Sequence, residues 1–240
     1  MPLPQISVPT YELEIPSTNK KIKYRPFLVK EEKVLIMAME SEDQKEISRA
    51  IKNVIHDCIL SRGVKVDTLS TFDIEYLFLN IRAKSVGETV EVNVTCPDDG
   101  ETQVGVEIAI DDIRVQKDPN HSNVIKLDDN ISVMMKYPSL DQFVENNFEV
   151  DNGTSDVDKS MNVIINCIDQ IFTEEESWSA SDSTKKELKD FVDQMNTKQF
   201  KDIENFFNTM PKLSHTITVT NPKTKVKNNI VLEGLASFFS

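Results

Sequence analysis

Residues 70–110 read STFDIEYLFLNIRAKSVGETVEVNVTCPDDGETQVGVEIAI. The apolar period changes inside this stretch. From Ser70 or Thr71, either of which can cap a helix, the apolar residues are Phe72, Ile74, Tyr76, Leu77, Phe78, Leu79, Ile81 and Ala83. They cover most of a helical circumference, interrupted only by Asp73, Glu75, Asn80 and Arg82. A helix that is apolar nearly all round must be covered nearly all round. It is therefore the central helix of the fold or a surface that a partner covers. Beyond Val86 the period becomes two. Val90, Val92 and Val94 lead into Cys96-Pro97-Asp98-Asp99-Gly100, and Val104, Val106 and Ile108 lead out. Two alternating runs around a turn predict a β-hairpin. One all-round helix running into an antiparallel hairpin sets the expected class: α+β, a helical core with several antiparallel hairpins and no parallel sheet.

Working outward, Tyr11, Leu13 and Ile15 alternate with Glu12 and Glu14, and Ile22 and Tyr24 alternate after the turn Pro16-Ser17-Thr18-Asn19. A first hairpin is predicted there. Glu31-Glu32-Lys33 opens a helix whose apolar residues are Val34, Leu35, Met37, Ala38 and Met39. Ile47, Ile51, Val54, Ile55, Cys58 and Ile59 form one stripe of a second helix, closed by Gly63. Another strand pair is expected over 124–135, then a short helix capped by Ser139 with Leu140, Phe143 and Val144. Val157, Met161, Ile164, Ile165, Ile168, Ile171 and Phe172 form a further helical stripe, followed by a polar break at 173–183 that holds Trp178. Leu188, Phe191, Val192 and Met195 mark the next helix. Phe200, Ile203, Phe206 and Phe207 mark a last one, capped by Thr197 and stopped by Pro211. Strands at 217–219 and 230–232 close the chain. The polar loop 149–156 is the expected boundary between an α+β region, 1–148, and a mainly helical region, 149–240. The hairpin ending the second region is expected to pack back on 86–110.

The chain has 240 residues and a net charge of −13, with a pI near 4.7. A polyanion repels phosphate backbones, so nucleic acid is not expected as a partner. Two basic stretches, 20–25 and 223–227, fall in predicted hairpins and read as solvated turn and edge charge. Three cysteines, Cys58, Cys96 and Cys167, build no disulfide framework, which points to a reducing compartment. The opening Met-Pro-Leu-Pro-Gln lacks the pattern of a signal peptide, and no apolar run is long enough to span a membrane.

Reactive motifs are sparse. The six glycines are scattered and none opens a phosphate-binding helix. His56 and Cys58 stand two apart on one helix and point in different directions. Adjacent acids occur at Asp98-Asp99, Asp111-Asp112 and Asp128-Asp129, where turn chemistry is the plainer reading. Residues 94–100 have the outline of a zinc knuckle, and Val219-Thr220-Asn221-Pro222-Lys223-Thr224 repeats the shape. A ribbon built from both would need cysteines at 96, 99, 221 and 224. Only Cys96 is present beside Asp99, Asn221 and Thr224, and one thiolate does not hold structural zinc. No metal, no cofactor and no enzymatic activity are expected. The rival readings are a metal-dependent hydrolase using the acid pairs and a binding module derived from a zinc ribbon.

The apolar inventory exceeds what a single-sided fold needs. Gly234-Leu235-Ala236-Ser237-Phe238-Phe239-Ser240 ends in aromatics where most chains fray into polar residues. Large apolar patches on an acidic protein point to protein–protein contact. Several strings also carry a resemblance: Arg25-Pro26-Phe27 running into Glu31-Glu32-Lys33-Val34-Leu35, Phe72 to Phe78, Ile81 to Glu88, Phe206 to Leu213, and the Gly234 to Phe239 ending. Together they resemble the baseplate hub and hub-assembly proteins of T4-like tailed bacteriophages. The resemblance implies a role in building the central hub at the tail tip, in the host cytoplasm during assembly, with other hub proteins as partners; it leaves two versions open, a subunit that stays in the finished tail baseplate and a factor that helps assembly and leaves. Arg25, Phe27, Tyr76, Phe78, Arg82, Phe206, Phe207, Phe238 and Phe239 are the expected contact residues. Removal of the last five residues is expected to weaken partner capture and leave the fold intact.

Overall fold

The computed structural model describes residues 6–142, 144 and 156–238. Among them, every strand pair is antiparallel, and runs of helices are interleaved with antiparallel strands along the chain. The expected α+β class is what is found. The chain divides into two units: residues 1–116 with 212–240, and residues 117–211. The expected boundary at 149–156 falls almost wholly outside the described residues, and the closing hairpin belongs with the first unit rather than with the helices before it.

In the first unit, strands β1 (Tyr11–Glu14) and β2 (Lys21–Tyr24) form the predicted hairpin. Its outer edge is tied to the end of helix α2 (Gln44–Cys58), where Arg25 N donates to Cys58 O at 2.9 Å and Leu60 N to Lys23 O at 2.8 Å. Helix α1 (Val29–Glu40) lies between β2 and α2 in the chain. Helix α3 (Thr71–Ser85) is the central helix. Ser70 caps it, its side chain accepting from Asp73 N. Asp73 is fully buried, and its carboxylate accepts from Ser17 N at 2.9 Å and Ser70 Oγ at 2.6 Å, so the first hairpin is fastened to the start of α3.

Strands β3 (Thr89–Thr95) and β4 (Gln103–Ala109) pair with Val90 opposite Ile108, Val92 opposite Val106 and Val94 opposite Val104. Alternate side chains of β3 are buried, as period two requires. A second sheet holds β5 (Arg114–Gln116), β10 (Lys212–Thr220) and β11 (Lys227–Glu233), in the order β11-β10-β5. Leu79 and Ala83 of α3, the inward valines of β3, and Leu213, Ile217, Val219 and Leu232 share one core with Phe238. The closing hairpin thus packs against 86–110. After Gly234, at φ +73°, a short 3-10 turn (Leu235–Phe238) inserts Phe238 at 0% exposure.

Glu75 fastens that turn: its Oε1 accepts from Leu235 N at 3.0 Å. Burial pushes its carboxyl up to about 7, against the pull of the Leu235 bond, and Glu233 adds to the rise. Folding therefore takes up a proton between the ordinary carboxylate range and pH 7, and stability falls as pH rises through that window. Glu75→Gln keeps an acceptor oxygen and removes the charge. It is expected to raise stability at pH 8 by about 2–3 kcal/mol and to change little at pH 4.5, read from urea denaturation at both pH values.

In the second unit, β6 (Val124–Lys126), β7 (Ser132–Met135), β8 (Ile168–Phe172) and β9 (Ser177–Ser179) form a sheet in chain order. Helices α4 (Asp156–Cys167), α5 (Lys185–Asp193) and α6 (Thr197–Thr209) complete it. The core joins Ile125, Val133 and Met135 to Ile164, Ile165 and Ile168, and to Leu188, Val192, Ile203 and Phe206. Two expectations are corrected here. The helical stripe 157–172 is a helix only to Cys167, because Ile168–Phe172 pairs with β7 on one side and β9 on the other, and tertiary pairing overrides the helical period. Trp178 accordingly lies on strand β9, opposite Ile171, and is half exposed. The cap of α6 is Asn196, not Thr197: its side chain accepts from Lys198 N and Gln199 N, and Gln199 reaches back to Asn196 N. Of the short helix at 139, Gln142 N donates to Ser139 Oγ, and Phe143 lies outside the described residues.

Candidate functional site

The expected contact residues are mostly inside. Phe27, Phe78, Phe206 and Phe238 are buried. Tyr76 packs half-buried against the core of the first unit. Phe207, partly buried, packs edge-on against Phe206 at 5.1 Å, on the core of the second. Arg82 is half-buried, and burial lowers its pKa. Phe239 lies outside the described residues. These side chains belong to two separate units, and those that are buried fill cores. The physical reason is that α3 packs against α2, the second sheet and the closing turn, which together bury nine of its residues. The first of the two readings of an all-round apolar helix is the one realised.

Arg25 fastens parts of the first unit together. Its guanidinium donates to Glu31 Oε1 at 2.8 Å, to Pro26 O at 2.9 Å and toward Cys58 Sγ at 3.7 Å. Glu31 is buried, and its second oxygen accepts from Leu28 N at 2.8 Å. Burial raises the pKa of Glu31, but hydrogen bonds from Arg25, Leu28 and Lys30 more than offset this and hold it at about 2. One ion pair thereby joins the end of β2, the start of α1 and the end of α2.

The two knuckle-shaped turns do meet. Asn221, fully buried, directs its amide NH2 at Asp98 Oδ1 (3.0 Å) and Asp99 Oδ2 (3.0 Å). Asn228 Nδ2 donates to Asp98 Oδ1 at 2.8 Å, and the Thr224 hydroxyl donates to Asp98 Oδ2. Thr102 Oγ1 donates to Asp99 Oδ2 at 2.6 Å. The turns also match in backbone form. Gly100 N bonds Cys96 O and Lys225 N bonds Asn221 O, both at 2.9 Å, and Gly100 and Lys225 both adopt positive φ, 67° and 65°. Hydrogen bonds from Thr224, Asn221 and Asn228 lower the pKa of Asp98, and those from Thr102 and Asn221 that of Asp99. Both acids are thus kept ionised as acceptors. Asp98→Ala and Asn221→Ala should each lower the thermal midpoint. The double variant should lose less than their sum, because both remove one shared bond; strict additivity in calorimetry would show that the turns are not coupled.

Among the described residues, no group of three or more His, Cys, Asp or Glu is placed to hold a metal ion. Asp128 spends one oxygen on the backbone N–H groups of Asn130 and Ile131, and Asp129 pairs with Lys126 at 3.2 Å. The three thiols are buried; burial pushes Cys58 up to about 11 and Cys167 up to about 12, so neither is a ready nucleophile. His121, which no sequence motif singles out, is held in the second unit between the Thr209 and Tyr137 hydroxyls at 2.9 and 3.0 Å. Its ring also stacks on Tyr137 and lies against Phe206, and burial lowers its pKa.

The surface that sequence reasoning missed is α1. Its inner side buries only Glu31 and Ala38. Val29 is 66% exposed, Ile36 50% and Met37 70%, with Val34 and Met39 also exposed on the flanks. Residues 29, 33, 36, 37 and 40 fall on one outward strip at 100° per residue. The signal was in the chain, since 34–39 is an apolar run that no single stripe explains.

The chain is an antiparallel α+β protein with polar turn-to-turn fastening and one helix that presents apolar side chains outward. The chain matches the family model described as T4 bacteriophage base plate protein over residues 8–240. It belongs to that family: it is a bacteriophage baseplate protein. Neither the curated proteins nor the solved structures contain a match. No described helix is long and apolar enough to cross a membrane.

Proposed function

We propose that this baseplate protein works without catalysis, by binding other subunits of the tail hub, as a hub subunit or as a factor that assembles the hub in the infected cell. The observation that carries this reading is the outward face of α1, where Val29, Ile36 and Met37 stand in water on a chain of net charge −13. Such a face is costly in a lone monomer and useful at an interface. The charge supports partners other than nucleic acid. The test is a tagged chain recovered from infected cells. Co-eluting hub subunits, lost in an Ile36→Asp/Met37→Asp variant that keeps the wild-type circular dichroism spectrum, are the expected result. A chain that elutes alone overturns the proposal. Mass spectrometry of purified mature virions separates a subunit, which is retained, from a factor that departs.

A further inference from the structure

The outward strip of α1 has an order of charge as well as an apolar centre. Lys33 lies toward its start, Ile36 and Met37 at its middle, and Glu40 at its end, followed by Glu42 and Asp43, while Lys30 and Glu32 flank the start on opposite sides. All of these are exposed. The pattern is its own complement when reversed. If two α1 helices lie antiparallel with the two-fold axis between positions 36 and 37, position 33 of each helix comes level with position 40 of the other. Both positions point into the seam, because residues 33 and 40 share its direction with 36 and 37. The result is a central apolar patch of two Ile36 and two Met37 side chains, closed at each end by a Lys33–Glu40 pair.

One detail makes the reversed copy a better occupant than an arbitrary apolar partner. The last turn of α1 carries no basic residue, and Glu40 stands there against the negative end of the helix dipole. That placement is unfavourable in a lone helix and is offset when a lysine arrives from an antiparallel neighbour. Lys33 and Glu40, for their part, are too far apart on one helix to pair with each other.

We infer that α1 is a self-association surface: two copies of this chain pair through antiparallel α1 helices, with Lys33 of each copy on Glu40 of the other. This rests on reading α1 as a contact surface and names its occupant. One helix pair is a small interface, so the equilibrium is weak and is read at roughly 10–500 µM chain. The whole-chain charge is screened beyond ~8 Å at physiological salt, leaving the close pairs to act.

The test is sedimentation equilibrium at 150 mM salt with wild type, Lys33→Glu and Glu40→Lys. Wild type is expected to dimerise. Each single variant places like charges at both ends of the seam and is expected to dimerise at least roughly tenfold more weakly. An equimolar mixture of the two variants restores both opposite pairs and should dimerise like wild type. Such recovery on mixing cannot come from damage to either fold, since circular dichroism must show both variants native. A wild-type chain that stays monomeric to 500 µM overturns the inference. So does a dimer indifferent to either reversal, and so does a mixture that fails to recover. Hub subunits still captured by a monomeric wild type would sink the self-association and leave the proposed function standing.

Discussion

Phe238→Ala is expected to cost the first unit about 3–5 kcal/mol. The ring has no exposure and packs among Leu79, the valines of β3, Ile113, Leu213 and Leu232, so its removal opens a cavity that three separate elements would have to collapse to fill. The measurement is the urea midpoint of the purified variant, followed by a probe of the first unit such as hydrogen exchange at β3. This replaces the expectation that the end of the chain could be removed without harm. Deleting the last five residues takes away Phe238 and part of the turn that Glu75 holds, so a loss of partner capture by that truncation reports unfolding first. A stability loss below about 1 kcal/mol in Phe238→Ala would show that the closing turn is not seated in the core.

Arg25→Ala is expected to cost about 3 kcal/mol, because it leaves Glu31 buried without its main counter-charge. The Arg25 and Glu31 side chains are 15% and 4% exposed, so solvent cannot substitute freely for the lost partner. Lys30 at 3.2 Å and the Leu28 N–H remain, which keeps the cost at the lower end. The pair also fixes a pH dependence. Glu31 has a folded pKa of about 2, below its ordinary value of 4.5. Its contribution is therefore complete above about pH 4.5 and lost as pH falls toward 2. Wild type should lose on the order of 3 kcal/mol across that window from this group. In Arg25→Ala the acid limb should flatten, while the limb between pH 4.5 and 7 that belongs to Glu75 persists. Acid limbs of equal slope in the two proteins would contradict the assignment of Glu31.

Much of the fold was legible because local rules and tertiary packing agree. The α2 stripe, the β3–β4 hairpin with its valines in register, and the closing hairpin each satisfy a single period. Legibility failed where two periods fit the same residues. Ile164, Ile165, Ile168 and Ile171 read as one helical face, yet from Ile168 onward pairing with β7 and β9 decides. The candidate site was harder to read. Two helices, α1 and α3, are apolar nearly all round, and composition treats them alike. What separates them is long-range: α2 packs against both, but sheet and closing turn cover α3 as well. The turn-to-turn network was visible as two matching shapes 125 positions apart, yet its chemistry was not. Asn221, Thr224 and Asn228 look like ordinary turn residues until the fold sets them on Asp98 and Asp99.

Strands β5 and β10 are direct neighbours, with Gln116 opposite Lys212, although residues 117–211 lie between them in the chain. Whatever happens within that long excursion, it departs and returns through the same rung of one ladder. A tight two-residue connection across that rung would turn β5–β10 into an ordinary hairpin, so the smaller protein made by this splice has every strand of its sheet still in sequence contact. The ladder at the base of the excursion is thus closed by the ribbon's own strands, whatever residues 117–211 hold.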